Sequence, residues 1–131
     1  MLMRPAKSST GLSPADVELA VAAAQRVVVV HQRLAAWMKP GLTLAKIDAE
    51  IARHLADLQC RSAFLGYKMG GKGPSFPSHA CLSVNECVVH GTAASLARPL
   101  REGDLLKIDI GVVHKGFIGD AGWTYHFGKA P

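Results

Sequence analysis

Apolar and polar positions follow a helical period over the first third of the chain. Ser13 can cap a helix, Pro14 suits its first turn, and apolar residues then recur every three or four positions, which predicts a helix over residues 14–38. Residues 27–30 are all valine and favour a strand locally, but the Ala-rich periodicity on both sides outweighs this preference. The periodic residues are Val17, Ala20, Val21, Ala24, Val28, His31, Ala35 and Met38.

A second helix is predicted after the stop signal Lys39-Pro40-Gly41. Thr43 provides its N-cap, and the charged residues lie away from a regular apolar stripe, so the helix is amphipathic. The stripe consists of Leu44, Ile47, Ile51, Leu55 and Leu58.

After Gln59 the pattern changes to short alternating segments separated by glycine, proline and polar residues. This change predicts short strands instead of further helices. Two helices followed by antiparallel strands indicate an α+β fold. The predicted short strands cover residues 62–67, 80–84 and 87–90, with a Gly-rich loop over residues 68–75 and a polar connection over residues 92–104.

The last two predicted strands, residues 105–113 and 117–127, form a hairpin around a His114-Lys115-Gly116 turn. When the two strands pair around this turn, Asp109 lies opposite Asp120, either directly or one diagonal position away. Directly opposed residues have Cβ atoms about 4.5–5.5 Å apart. Strand alternation puts both carboxylates on one face beside glycines and the large apolar residues on the other face, which is expected to lie against the core.

Two carboxylates held side by side in a buried recess repel each other and need a cation or a shared proton. Two divalent ions about 3.5–4 Å apart would suit such a pair, with one aspartate chelating and the other bridging. The alternative is a pair of solvated aspartates on an exposed sheet face. Spacing alone does not decide between these interpretations.

Composition places the chain among globular domains, since 49% of its 131 residues are apolar and 19% are charged. The net charge of +5 favours weak contact with polyanions, but no basic run interleaved with aromatic residues indicates specific nucleic-acid binding. Residues 1–12 are expected to form a flexible basic lead, with one domain over residues 13–131. Three cysteines without framework spacing favour reduced thiols in the cytoplasm, and no apolar stretch is long enough to span a membrane.

Several elements with fixed spacing resemble the type I methionine aminopeptidases. The resemblance covers about residues 41–129 and is dense from Phe76 onward. The matching elements are Phe76-Pro77, Cys81, Ser83-Val84-Asn85-Glu86, His90-Gly91, residues 100–104, Ile108-Asp109-Ile110 and Gly116-Phe117-Ile118-Gly119-Asp120.

The resemblance implies the N-terminal half of a pita-bread fold and an enzyme that removes the initiator methionine from nascent proteins. It implies that Asp109 and Asp120 bind metal in a site for two divalent ions, of Co, Mn, Fe, Zn or Ni. It also implies that His90 contacts the substrate at the scissile amide and steadies the developing charge, as a catalytic residue. The residues at positions matching the methionine pocket are Tyr67, Phe76 and Cys81, with Phe64 at a further one.

In that family a histidine and two glutamates complete the metal site from a second half, beyond the part matched by these residues. We therefore expect the 131-residue chain alone to be inactive. The implied partner is the N-terminal methionine of nascent peptides, near the ribosome. One alternative is a non-catalytic half-domain that binds metal or peptide, or pairs with a second half or a second copy. Another is a prolidase-like peptidase acting on X-Pro bonds.

Overall fold

A computed structural model describes residues 11–129 and contains two helices and a four-stranded antiparallel sheet. Strand β3 is central, because β4 pairs along one of its edges while β1 and β2 share the other. Residues 1–10 of the predicted basic lead lie outside the described residues. The elements are α1 (Pro14–Trp37), α2 (Leu44–Asp57), β1 (Arg61–Ser62), β2 (Cys81–Val84), β3 (Leu105–His114) and β4 (Phe117–His126).

Side-chain caps begin both helices where the sequence predicts. The Ser13 hydroxyl accepts a hydrogen bond from the Asp16 backbone N–H at 3.1 Å, and the Asp16 carboxylate accepts one from the Ser13 N–H at 3.2 Å. This reciprocal pair is a capping box. The Thr43 hydroxyl caps α2 by accepting from the Lys46 N–H. Both predicted helices are therefore confirmed, and neither helix of the described residues is long and apolar enough to cross a membrane.

The buried face of α1 differs from the periodic stripe seen in the sequence. Of that stripe only His31 is fully buried, whereas Val17, Val21 and Val28 are between 38% and 48% exposed. The helix is apolar around most of its circumference, so spacing predicts a helix without deciding which side meets the sheet. The residues that pack into the core are Ala23, Val27, Val30, His31 and Leu34.

Two of the predicted short strands are wrong. The first ends at Ser62, because the Ser62 hydroxyl accepts hydrogen bonds from the backbone N–H groups of Phe64 and Leu65 and turns the chain out of the sheet. Residues 87–90 form no strand. Positive φ angles at Asn85 (51°) and His90 (59°) bend the backbone at both ends of that segment.

The β3–β4 hairpin has the predicted strands with a tighter turn. Lys115 and Gly116 both have positive φ angles, 48° and 82°, as a two-residue turn between twisted strands requires. The register places Asp109 opposite Gly122 and Gly111 opposite Asp120, so the two aspartates are diagonal neighbours on one face. This confirms the diagonal one of the two predicted arrangements.

The other face of the hairpin carries the hydrophobic core. Ile108, Ile110 and Val112 of β3 have no exposed surface, and they pack with the buried residues of α1 and α2. The helices cover only this face of the sheet, which leaves the face with the aspartates uncovered by them. Prediction of a core-facing and a polar side of the hairpin is therefore confirmed.

Candidate functional site

A cavity of about 850 Å³ lies beside the aspartate face of the hairpin. It brings together side chains from β2, β3, β4 and two loops, although they are spread over more than fifty positions of the sequence. All the site residues suggested by the sequence lie along its wall, namely Phe64, Tyr67, Phe76, Cys81, His90, Asp109 and Asp120.

Asp109 and Asp120 lie at the sheet end of this cavity. Burial and the neighbouring Asp109 carboxylate raise the pKa of Asp120 to about 6. The pair is less enclosed than the expected buried recess, because Asp109 is half-buried and Asp120 is exposed. Asp120 lies on β4, the outermost strand of the described sheet, where no further strand covers it.

Asp109 carries the clearest sign of a missing partner. Its Oδ1 atom is buried and has no hydrogen-bond partner among the described residues. A buried acceptor without a donor is costly, and a cation would satisfy it while also screening the two carboxylates from each other. The pair therefore fits a divalent ion, whose preferred ligands include carboxylate oxygens.

His90 lies at the cavity wall because the next residue, Gly91, packs closely against β2. The Gly91 N–H donates to the Ser83 hydroxyl at 3.0 Å, and the Gly91 carbonyl accepts from the Leu82 N–H at 2.8 Å. A Cβ atom at Gly91 would lie 2.0 Å from the Leu82 carbonyl oxygen, so only glycine fits there. The His90 side chain is exposed and free to contact a bound molecule.

The other wall of the cavity is apolar. Phe64 and Phe76 meet edge to face, with ring centroids 6.4 Å apart, and Tyr67 is 61% exposed at the rim. Cys81 pairs with Asp109 across β2 and β3. Burial, together with the charges of the two aspartates, raises the pKa of the Cys81 thiol to about 11, so this cysteine is a neutral lining group and no thiolate nucleophile.

Two other histidines near the sheet, His79 and His114, make contacts outside the cavity. His79 Nδ1 lies 2.8 Å from a carboxylate oxygen of Asp48 on α2, and His114 Nδ1 lies 3.2 Å from the Gln59 carbonyl oxygen. Neither lines the cavity. Within residues 11–129 no group of three or more His, Cys, Asp or Glu side chains is placed to hold a metal ion, so the described part of the site consists of two carboxylates.

A second cavity of about 460 Å³ continues from the aspartates along the sheet. It shares Cys81, His90 and both aspartates with the first cavity and extends over Gly122 and Thr124 of β4. The aspartate pair therefore lies between an apolar pocket and a more polar groove, an arrangement that suits a reaction at a bond between two parts of a substrate.

Sequence reasoning did not identify all the residues that line the apolar pocket. Met69, Pro74 and Ser75 belong to the Gly-rich loop, and Thr92 follows His90 and Gly91. The loop residues could have been found from the sequence, because the loop connects Tyr67 and Phe76, two residues already assigned to the pocket.

Known proteins resemble this chain in sequence and in fold. A sequence profile of metallopeptidase family M24 matches residues 18–131. Methionine aminopeptidase 1 of Bacillus subtilis is 33% identical over 117 residues, which cover 89% of this chain and 44% of that protein. The crystal structure of methionine aminopeptidase from Thermotoga maritima superposes with a TM-score of 0.80 at 30% identity, covering 92% of this chain and 45% of its own.

The prolidase from Pyrococcus furiosus is also similar in structure, with a TM-score of 0.69, but at 13% identity, covering 91% of this chain and 32% of its own. At that identity the likeness shows the fold alone. The methionine aminopeptidases are thus similar in both sequence and structure, and the chain spans less than half of their length. The fold is confirmed as part of the pita-bread architecture of these enzymes. The chain belongs to metallopeptidase family M24.

Proposed function

We propose that this domain is part of a metal-dependent aminopeptidase that removes the N-terminal methionine from nascent proteins. The observation that carries the proposal is the aspartate pair, with one buried and unpartnered carboxylate oxygen, at the end of an apolar cavity lined by aromatic and sulfur-containing residues. Such walls suit a thioether side chain, which is flexible and polarizable. The methionine aminopeptidases similar in sequence support the same substrate class.

In this proposal Asp109 and Asp120 hold divalent metal, in a site for two ions of Co, Mn, Fe, Zn or Ni. Bound divalent ions supply Lewis acidity toward a carbonyl oxygen and activation of water. Asp120 must be ionised to act as a ligand, and its raised pKa means that a cation binds in competition with a proton. Binding should therefore strengthen as pH rises through about 6.

The other residues act on the substrate. Phe64, Phe76 and Cys81 would enclose the methionine side chain, with Tyr67 at the rim, so that the scissile amide lies between the aspartates and His90. The exposed His90 imidazole would then donate to the amide as charge develops on it; such an interaction contributes about 3–4 kcal/mol to a transition state. The more polar groove beyond the aspartates would accept the rest of the peptide.

The described residues provide two oxygen ligands but no nitrogen ligand and no further carboxylate beside the pair. Two carboxylates alone hold a transition metal weakly and leave no base for the attacking water. We therefore expect weak metal binding and no measurable hydrolysis of methionyl peptides by the 131-residue chain. Location in the cytoplasm and work near the ribosome stay predictions.

Titration with Mn²⁺, followed by electron paramagnetic resonance of the free ion, tests the metal site. We expect Asp109→Asn and Asp120→Asn each to weaken Mn²⁺ binding at least about tenfold, because each removes a charged ligand. Glu18→Gln, which removes an exposed carboxylate on α1, is the matched control and should leave the affinity unchanged. Equal Mn²⁺ binding by all four proteins would reject the aspartate pair as the metal site.

A further inference from the structure

The Gly-rich loop over residues 68–75, called the flap loop below, lies between Tyr67 and Phe76, two of the three aromatic residues of the apolar pocket. Two backbone hydrogen bonds close its base: the Gly66 N–H donates to the Phe76 carbonyl at 2.9 Å, and the Phe76 N–H donates to the Tyr67 carbonyl at 2.7 Å. Tyr67 and Phe76 therefore stay side by side while the chain between them projects outward over the pocket mouth.

Few contacts hold the flap loop in place. Every residue from 68 to 75 is exposed. Among residues 11–129, the other backbone hydrogen bonds of the flap loop are internal: the Gly71 N–H donates to the Lys68 carbonyl and the Lys72 N–H to the Met69 carbonyl. Gly70, Gly71 and Gly73 have positive φ angles and no neighbouring atom where a side chain would begin. A segment with little burial and exposed hydrogen bonds opens at low free-energy cost.

Met69 is an apolar residue whose side chain is mostly exposed at the mouth of the pocket. Its side chain lines the pocket and yet is 80% exposed, so it lies at the mouth with most of its surface in water. Pro74 and Ser75 line the same side of the pocket. A small inward movement of the flap loop would bury the Met69 thioether against whatever fills the pocket.

We propose that the flap loop closes over an apolar side chain bound in the pocket and that Met69 makes the covering contact, as a specificity-determining residue. This inference rests on the proposed function, because its occupant is the N-terminal methionine side chain of a peptide. A long unbranched side chain extends from the aspartates to Met69, whereas a short one leaves the Met69 thioether exposed. The flap loop thus selects for side-chain length.

Limited trypsin digestion of the 131-residue chain detects this closure. Trypsin cleaves after Lys68 and Lys72 in the flap loop, and Lys115 in the exposed hairpin turn is an internal control. L-Methionine at saturation, with and without Mn²⁺, should slow cleavage after Lys68 and Lys72 at least about threefold and leave cleavage after Lys115 unchanged. L-Alanine should protect neither site.

Calorimetric titration separates Met69 from the rest of the pocket. Met69→Ala should weaken L-methionine binding about fivefold, the scale of a thioether contact, and leave L-alanine binding unchanged. Because Met69 is exposed, this variant should fold as the parent does, and its circular dichroism spectrum checks that. A variant lacking residues 69–74, which also removes the pocket-lining Pro74, should lose at least the same affinity and provides a second measurement.

The outcomes distinguish the flap loop from the proposed function. Methionine binding that is unaltered by Met69→Ala, with no protection of Lys68 or Lys72, rejects the flap loop and leaves the methionine pocket intact. A chain that binds L-methionine no better than L-alanine contradicts the pocket itself, and the flap loop with it.

Discussion

The two faces of the β3–β4 hairpin share one backbone but differ in nearly every physical property. On the core face Ile108, Ile110 and Val112 are fully buried under α1, and their contacts hold the domain together. On the other face Asp109 has an oxygen without a hydrogen-bond partner within residues 11–129, and Asp120 has a pKa raised to about 6. Successive side chains of a strand point to opposite faces of the sheet, so adjacent residues can contribute separately to the core and to the site.

The two faces also differ in whether their buried polar atoms have hydrogen-bond partners. His31 of α1 is fully buried on the core face, yet both ring nitrogens have partners: the Tyr125 hydroxyl at 2.7 Å and the Ala121 carbonyl at 2.8 Å. The ring also stacks on Trp123, with centroids 4.8 Å apart. The core face thus satisfies both nitrogens of its buried histidine, whereas on the site face a buried oxygen of Asp109 has no hydrogen-bond partner among the described residues.

The largest expected effect is loss of stability from a change on the core face. Ile110→Ala should lower the free energy of unfolding by about 3 kcal/mol, because it removes buried methyl groups and leaves a cavity under α1. Urea unfolding followed by circular dichroism measures this change. Ile118→Ala removes the same atoms from a residue that is 64% exposed and should cost less than about 0.5 kcal/mol. Similar losses in the two variants would contradict the division into faces.

A smaller effect of opposite sign is expected on the site face. The pKa of Asp120 is above its unfolded value, so its contribution to stability is present in acid and is lost as pH rises from about 4 through about 6. Asp120→Asn should therefore stabilise the metal-free protein at pH ~7, by about 1 kcal/mol after allowance for the exposure of this side chain.

Urea unfolding of the parent and of Asp120→Asn, with a chelator present, measures this difference in stability at neutral and at acid pH. Asp57→Asn is the matched control, since Arg33 donates a hydrogen bond to Asp57 and lowers its pKa. Asp57→Asn removes the attraction between Asp57 and Arg33 and should therefore not stabilise the protein. An Asp120→Asn variant that is less stable than the parent at neutral pH would show that the aspartate pair is not held under repulsion.

The smallest effect is a pH dependence from the core face. Burial lowers the pKa of His31, so the unfolded state binds a proton more readily than the folded state. Stability should therefore fall as pH drops below about 6.5, opposite in direction to the Asp120 contribution. His31→Gln removes the titration, and its unfolding free energy should depend less on pH in this range. An unchanged slope in the variant would assign the acid sensitivity to another group.

Local signals in the sequence were sufficient for the helices and the last hairpin. Ser13 and Thr43 act as caps, and the Lys115-Gly116 turn joins two strands with clear alternation, so each element is determined by residues close in sequence. The strands predicted over residues 62–67 and 87–90 were wrong because side-chain hydrogen bonds of Ser62 and positive φ angles at Asn85 and His90 override strand preference.

The candidate site was predicted in part. The shared face of Asp109 and Asp120 follows from hairpin register, whereas their role as metal ligands and the roles of the other site residues came from resemblance to a family. The other residues are His90, Tyr67, Phe76 and Cys81. Their assembly around one cavity agrees with those assignments, while their roles await experiment. Met69 was missed, because a methionine in a glycine-rich loop has no periodic neighbours that would indicate where it lies.

The sequence by itself determined the identity and order of the helices, the pairing of the last two strands and the shared face of the two aspartates, since these depend on local caps, turns and alternation. Tertiary structure alone decided which side of α1 is buried and that an Asp109 oxygen has no hydrogen-bond partner within residues 11–129. It also decided that Met69, Pro74 and Ser75 of the flap loop line the apolar pocket. Those features depend on contacts between residues far apart in the chain, where packing volume and desolvation, and not local preference, set the lowest free energy.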